Sequence, residues 1–259
     1  MEKNLNRARP QPRYASVEDT SDGFSGPWWQ HPFTIFLLPF FVYMVIGSFE
    51  PKPSETGLLG LNYPSFYAIR ITLTFASILL AVRGYRAFPF TVNPISIGVG
   101  VVGVVLWVGI CQLELERLLL VPIGLGWLVG TGERAAYDPF SALAGGQLAF
   151  FLTVRFIGLA AIVPLIEEML LRGFVMRFVI QRDWWTVSMN DLGRGSVIAA
   201  TVYGIAAHPA EMFAAAVWFS LVTWMLLKTR NIWDCVIAHA VTNLLLGIYI
   251  VTTGNWHLW

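Results

Sequence analysis

Long apolar runs separated by short polar stretches set the pattern of this chain from residue 33 onward. Runs near 33–49, 65–82, 92–112, 141–166, 167–181, 196–208, 211–227 and 232–252 predict helices. Several approach the roughly 20 residues that an α-helix needs to cross a hydrocarbon core, and the shorter ones fit tilted, re-entrant or half-buried pieces. The stretch 118–129 is also apolar, but Pro122, Gly124 and Gly126 interrupt it, so it reads as an interfacial or re-entrant segment. The pattern predicts an all-α fold, a polytopic integral membrane helical bundle of about eight transmembrane or membrane-embedded helices. Residues 33–259 form one membrane domain on this reading. Residues 1–32 lack a periodic apolar face and read as a polar, disordered head. The head is not a signal peptide, because the first apolar run starts only at Phe33 and no small-residue cleavage site follows it.

Composition supports the membrane assignment. Hydrophobic residues make up 56% of the chain and charged residues 13%, about half the charge of a soluble domain. The mean hydropathy is +0.62. Eleven Trp and 18 Phe suit lipid-facing surfaces and interfacial belts. A net charge of +1 with no basic cluster offers no nucleic-acid surface. Cys111 and Cys235 both lie in apolar runs and read as small buried hydrophobes rather than a disulfide. Positive charge falls in the head (Lys3, Arg7, Arg9, Arg13), after the second run (Arg83, Arg86), after residue 171 (Arg172, Arg177, Arg182, Arg194) and at Lys228 and Arg230. The loop at 50–64 carries only Lys52 with two acids. This asymmetry places the head in the cytoplasm.

Few polar residues fall within the apolar runs: Arg155, Glu167, Glu168, Arg172, His208, His239 and Asn243. Charges at membrane depth cost about 2.5–3.5 kcal/mol each even on lenient insertion scales, so a chain retains them at a site or satisfies them with partners. Glu168 and Arg172 are four apart, share a helix face and stand in the favourable order for an ion pair. Glu167 points about 100° away from Glu168 and has no local partner. A carboxylate without a partner in a low-dielectric site makes a good general base. The structural alternative is an ion-pair network that holds helices together. His208 ends a run and precedes Pro209, so it sits at a helix break that can face a water-filled cavity or the interface. Glu211 then falls in the first turn of the next helix, where an acid suits the dipole, and reads as structural. His239 and Asn243 share one face of the last run. They could bridge to neighbouring helices or stabilise the oxyanion of a tetrahedral intermediate. No His-Glu-x-x-His motif marks a zinc site, and no Gly-x-Ser-x-Gly or Cys-His arrangement marks a nucleophile.

Together, Glu167-Glu168-x-x-x-Arg172, His208 at a helix end and His239-x-x-x-Asn243 resemble the CAAX protease and bacteriocin-processing family of intramembrane glutamate-type endopeptidases. The likeness spans residues 167–243 and puts the catalytic core at 141–252. It implies that Glu167 activates water, His208 assists, His239 and Asn243 stabilise the oxyanion, and Glu168 and Arg172 support them. It implies no cofactor, although the residues themselves leave a metal open. The family's second motif usually has an aromatic residue four before its His, whereas this chain has Gly204 there and Tyr203 one place earlier. Glu50-Pro51 and Tyr63-Pro64 resemble the CAAX-protease-related subgroup found with exosortase and PEP-CTERM sorting systems. The expected protein is therefore an integral protein of a bacterial plasma membrane. It hydrolyses a peptide bond in a peptide or protein tail delivered at the bilayer. The alternatives are a non-catalytic peptide-binding chaperone or immunity protein of the same fold, and a proton-coupled transporter. The transporter is disfavoured because no paired, interrupted helices recur in two halves.

Overall fold

A computed structural model of the chain describes residues 27–53, 55–129 and 136–259. Most of the polar head lies outside these residues. The described part of it, however, is ordered: a 3-10 turn at Trp28–Gln30 leads into the first helix. Seven longer helices follow: α1 (Pro32–Gly47), α2 (Tyr63–Tyr85), α3 (Pro94–Gln112), α4 (Gly145–Phe178), α5 (Arg194–Ala207), α6 (Pro209–Thr229) and α7 (Ile232–Thr253). Among the described residues there is no strand. α2, α3, α4, α6 and α7 are long and apolar enough to cross a membrane, and the chain is a membrane protein. Their outward faces carry residues such as Leu73, Leu79, Ile97 and Val105, exposed in the isolated chain as a lipid-contacting surface requires.

The helices begin where the sequence supplies the chemistry for it. Pro32, Pro64 and Pro94 stand in first turns, where a missing N–H costs nothing. Asn62 caps α2 by accepting from the Ser65 amide at 3.0 Å, and Asn231 caps α7 through the Trp233 amide at 3.1 Å. The apolar stretch at 118–129 is not one long helix. It folds into a short helix, Leu115–Leu120, and a 3-10 turn, Gly126–Val129. Glu116 in that helix accepts the Phe213 amide at the start of α6, at 2.9 Å.

α4 corrects one expectation. The runs at 141–166 and 167–181 are a single 34-residue helix, and the charged pair lies inside it. At about 1.5 Å per residue it is about 51 Å long, so it tilts in or projects from a hydrocarbon core of about 30 Å. Two π-helical segments, Gly158–Ile162 and Met169–Val175, interrupt it. Pro164 accounts for the first. An α-helix would drive its ring into the carbonyl four residues back. The helix instead widens, and the Val163 amide reaches back to the Gly158 carbonyl. The next bond in that pattern would come from residue 164, which has no N–H. The Leu159 carbonyl is thus left over, and the Asn243 side chain takes it at 3.0 Å.

α4 also joins the two hydrophobic cores. Ile162, Ile166 and Met169 pack with α1, α2 and Trp184, whereas Leu171 and Met176 pack with α3, α5, α6 and α7. Between α1 and α2, Arg70 bonds Glu50 at 2.7 Å and lies over the Tyr43 ring. Between α3 and α7, the fully buried Asp234 accepts from the Asn93 amide at 2.8 Å and its side chain at 2.7 Å. Both cysteines are free thiols. Cys235 is buried as expected, but Cys111 is partly exposed.

Candidate active site

The turn between the two π-helical segments of α4 presents Glu167 and Glu168 to two different surroundings. Glu168 is sealed inside the bundle. One of its carboxylate oxygens accepts from Arg172 Nε at 2.9 Å, the four-residue spacing read from the sequence. The other lies 3.0 Å from His239 Nδ1. Arg172, equally inaccessible, donates to the Thr223 hydroxyl at 2.8 Å, and its guanidinium lies over the Phe219 ring of α6. An ionised carboxylate only accepts hydrogen bonds, so the bond to Glu168 puts a proton on His239 Nδ1 and turns Nε2 outward.

His239 Nε2 and Glu167 face the same cavity, of about 290 Å³. They lie 3.9 Å apart, close enough to share a water between them. The Tyr203 hydroxyl donates to the other Glu167 oxygen at 3.1 Å. The Trp218 ring packs edge-on against His239 and donates to Thr242 at 3.1 Å, fixing the imidazole plane. His208 stands in a non-helical conformation at the α5–α6 break (φ −129°, ψ 63°). Its ring lies against Trp107 and Phe219 and lines the same cavity, as does Asn243.

The structure thus brings Glu167, His208, His239 and Asn243 to one cavity wall and places Glu168 and Arg172 behind it. Asn243 also bridges helices through its bond to Leu159, so the structural reading of this residue holds alongside any chemical one. Two features of the site escaped the sequence reading. Glu211 is buried and lines the cavity too, rather than serving only the first turn of α6. Tyr203, which the motif places one position early, is the residue that reaches Glu167. An aromatic residue could not occupy position 204, because even a Cβ there would collide with Phe219. α5 packs too closely on α6 at that level to admit one. The displaced tyrosine was the visible sign. Among the described residues no group of three His, Cys, Asp or Glu side chains is arranged to hold a metal ion.

Residues 149–245 match the family model described as type II CAAX prenyl endopeptidase Rce1-like. The matched segment runs from early α4 into α7 and contains Glu167, Glu168, Arg172, Tyr203, His208, His239 and Asn243. No curated protein and no solved structure matches the chain. The match supports a CAAX-type intramembrane endopeptidase in general. The chain is accordingly a membrane protein whose residues 149–245 are similar to the Rce1-like family of type II CAAX prenyl endopeptidases.

Proposed function

We propose that the protein is a glutamate-type intramembrane endopeptidase that hydrolyses a peptide bond of a membrane-delivered peptide or protein tail. The observation that carries this reading is the 3.9 Å separation of Glu167 and His239 Nε2 across one cavity, with Glu168 held elsewhere. Glu167 takes a proton from water as the water attacks the scissile carbonyl. His208, on the same wall, assists in orienting that water. The Asn243 amide keeps one N–H beyond the one given to Leu159, and this N–H meets the developing oxyanion. By the family resemblance, His239 stands beside the same oxyanion. Glu167 then returns the proton to the leaving amine. The Glu168–Arg172 pair keeps His239 in register. No step requires a prenyl group on the substrate or a metal ion.

The test is direct. The full chain in proteoliposomes is incubated with a degenerate library of apolar peptides, with and without a chelator, and products are identified by mass spectrometry. Cleavage that survives the chelator and is lost in Glu167→Gln and His239→Ala supports the proposal. Unchanged cleavage in both variants overturns it. Peptide binding without any cleavage favours the chaperone or immunity reading.

A further inference from the structure

The segment after α7 folds back onto the bundle and separates two cavities. Gly254 stops α7 in the left-handed conformation (φ 73°), and a 3-10 turn at Trp256–Leu258 follows. Trp259 then lies against α4, its ring 5.0 Å from the Arg155 guanidinium and edge-on to Phe156 at 6.1 Å. Leu258 and Trp259 line the cavity that holds Glu167 and His239. Trp259 also lines a second cavity, of about 310 Å³, at the loop between α1 and α2. Glu50, Lys52, Tyr63, Arg70 and Tyr137 line that one too, and it opens to solvent at Lys52, whose side chain is 73% exposed. Among the described residues Trp259 alone lines both cavities.

Little holds Trp259 in that position. The Trp256, Leu258 and Trp259 amides bond to the carbonyls of Gly254, Asn255 and Trp256, next to the turn itself. The Trp259 Nε1–H is buried without a hydrogen-bond partner among the described residues. A buried donor without an acceptor makes the closed arrangement costly, whereas the ring contacts with α4 can be remade by another apolar group. We propose that Trp259 is a lid. It closes the catalytic cavity toward the solvent-exposed one and swings aside when a peptide enters, so that the two cavities become one groove. The inference rests on the endopeptidase reading for the identity of the ligand as a peptide. A cavity of about 290 Å³ holds only a few residues, so an extended chain needs the second space to run out to solvent. On opening, the indole N–H gains water or a peptide carbonyl, which offsets the lost ring contacts. Segments with few hydrogen bonds to the rest of a fold are the ones that open locally, and lids of this kind gate substrate entry.

The test separates binding from cleavage. Full-length Glu167→Gln protein in phosphatidylcholine nanodiscs is titrated with labelled degenerate apolar hexapeptides. A lid that is open about one-tenth of the time or less weakens the apparent affinity about 10-fold or more. Adding Trp259→Ala should therefore tighten binding about 10-fold or more, and Trp259→Phe, which keeps a ring beside Arg155, should bind like the parent. Equal or weaker binding in a Trp259→Ala protein that melts with the parent overturns the lid and leaves Trp259 a packing residue. A second measurement decides if Trp259→Ala melts early. The parent is labelled with 5-fluorotryptophan, and the fluorine signal missing from Trp259→Phe identifies Trp259. Saturating peptide should shift that signal, and a signal that stays in place overturns the proposal. If the lid opens to peptide while wild-type protein cleaves none of the pool, the lid stands and the endopeptidase reading falls. Cleavage by the wild type with no gain of binding in Trp259→Ala has the opposite meaning. Peptide binding to neither protein overturns both.

Discussion

Glu167 and Glu168 are adjacent in sequence but occupy two regions of the molecule that differ in almost every physical respect. Behind the cavity wall, Glu168, Arg172, Thr223 and His239 Nδ1 form a buried knot, with Arg172 Nη2 left without a partner. Both carboxylate oxygens are engaged, and the acid and arginine are wholly inaccessible. On the cavity side, Glu167 has a tyrosine hydroxyl on one oxygen, and His239 Nε2 stands 3.9 Å from the other. The same imidazole serves both regions, one nitrogen in each. The comparison teaches how a chain keeps a carboxylate usable inside a membrane. One acid is committed fully to structure, which orients the histidine that the second acid then faces across open space.

Four substitutions bear on this division. The largest effect is expected from Arg172→Ala, which leaves Glu168 as an unpaired buried charge. The knot should lose about 3–5 kcal/mol, read as a large drop in unfolding temperature in detergent, with activity lost as a consequence. Asn243→Ala should show both kinds of damage. The orphaned Leu159 carbonyl costs about 1–3 kcal/mol of stability, and loss of an oxyanion donor lowers kcat about 10²–10³-fold. An effect on melting alone would make Asn243 a helix bridge and nothing more. Tyr203→Phe touches only the cavity side. It should lower kcat about 10- to 150-fold, with little change in KM or melting, because one hydrogen bond to a charged group is worth about 1.5–3 kcal/mol. Thr223→Val touches only the knot. It should cost about 1.5–3 kcal/mol of stability, because it strands a buried charged donor, and leave kcat near wild type.

The knot was more legible in the sequence than the cavity. Glu168 and Arg172 pair along one helix, so the four-residue spacing was enough to join them. Glu167 was singled out by the same geometry, because its direction left it no local partner. His208, His239 and Asn243 were visible as polar residues in apolar runs, and their convergence followed from the family resemblance rather than from spacing. The features that were missed all depend on how helices pack. Tyr203 reaches Glu167 from another helix, and Glu168 holds His239 across 71 positions of chain. The break expected between residues 166 and 167 is absent, because charges satisfied by neighbouring helices do not end a helix. The π-helical segment before Pro164 supplied a use for Asn243 that hydropathy does not encode.

Parallel unfolding and turnover measurements on Glu167→Gln and Glu168→Gln, in the same proteoliposomes, test the division of labour most directly. Glu167→Gln should melt with the wild type and lose about 10²–10⁴ in kcat, the contribution of a general base. Glu168→Gln should melt well below the wild type, because it leaves Arg172 charged and unpaired. A Glu167→Gln protein that cleaves at the wild-type rate, or a Glu168→Gln protein that melts unchanged, would contradict the assignment of working base and structural partner.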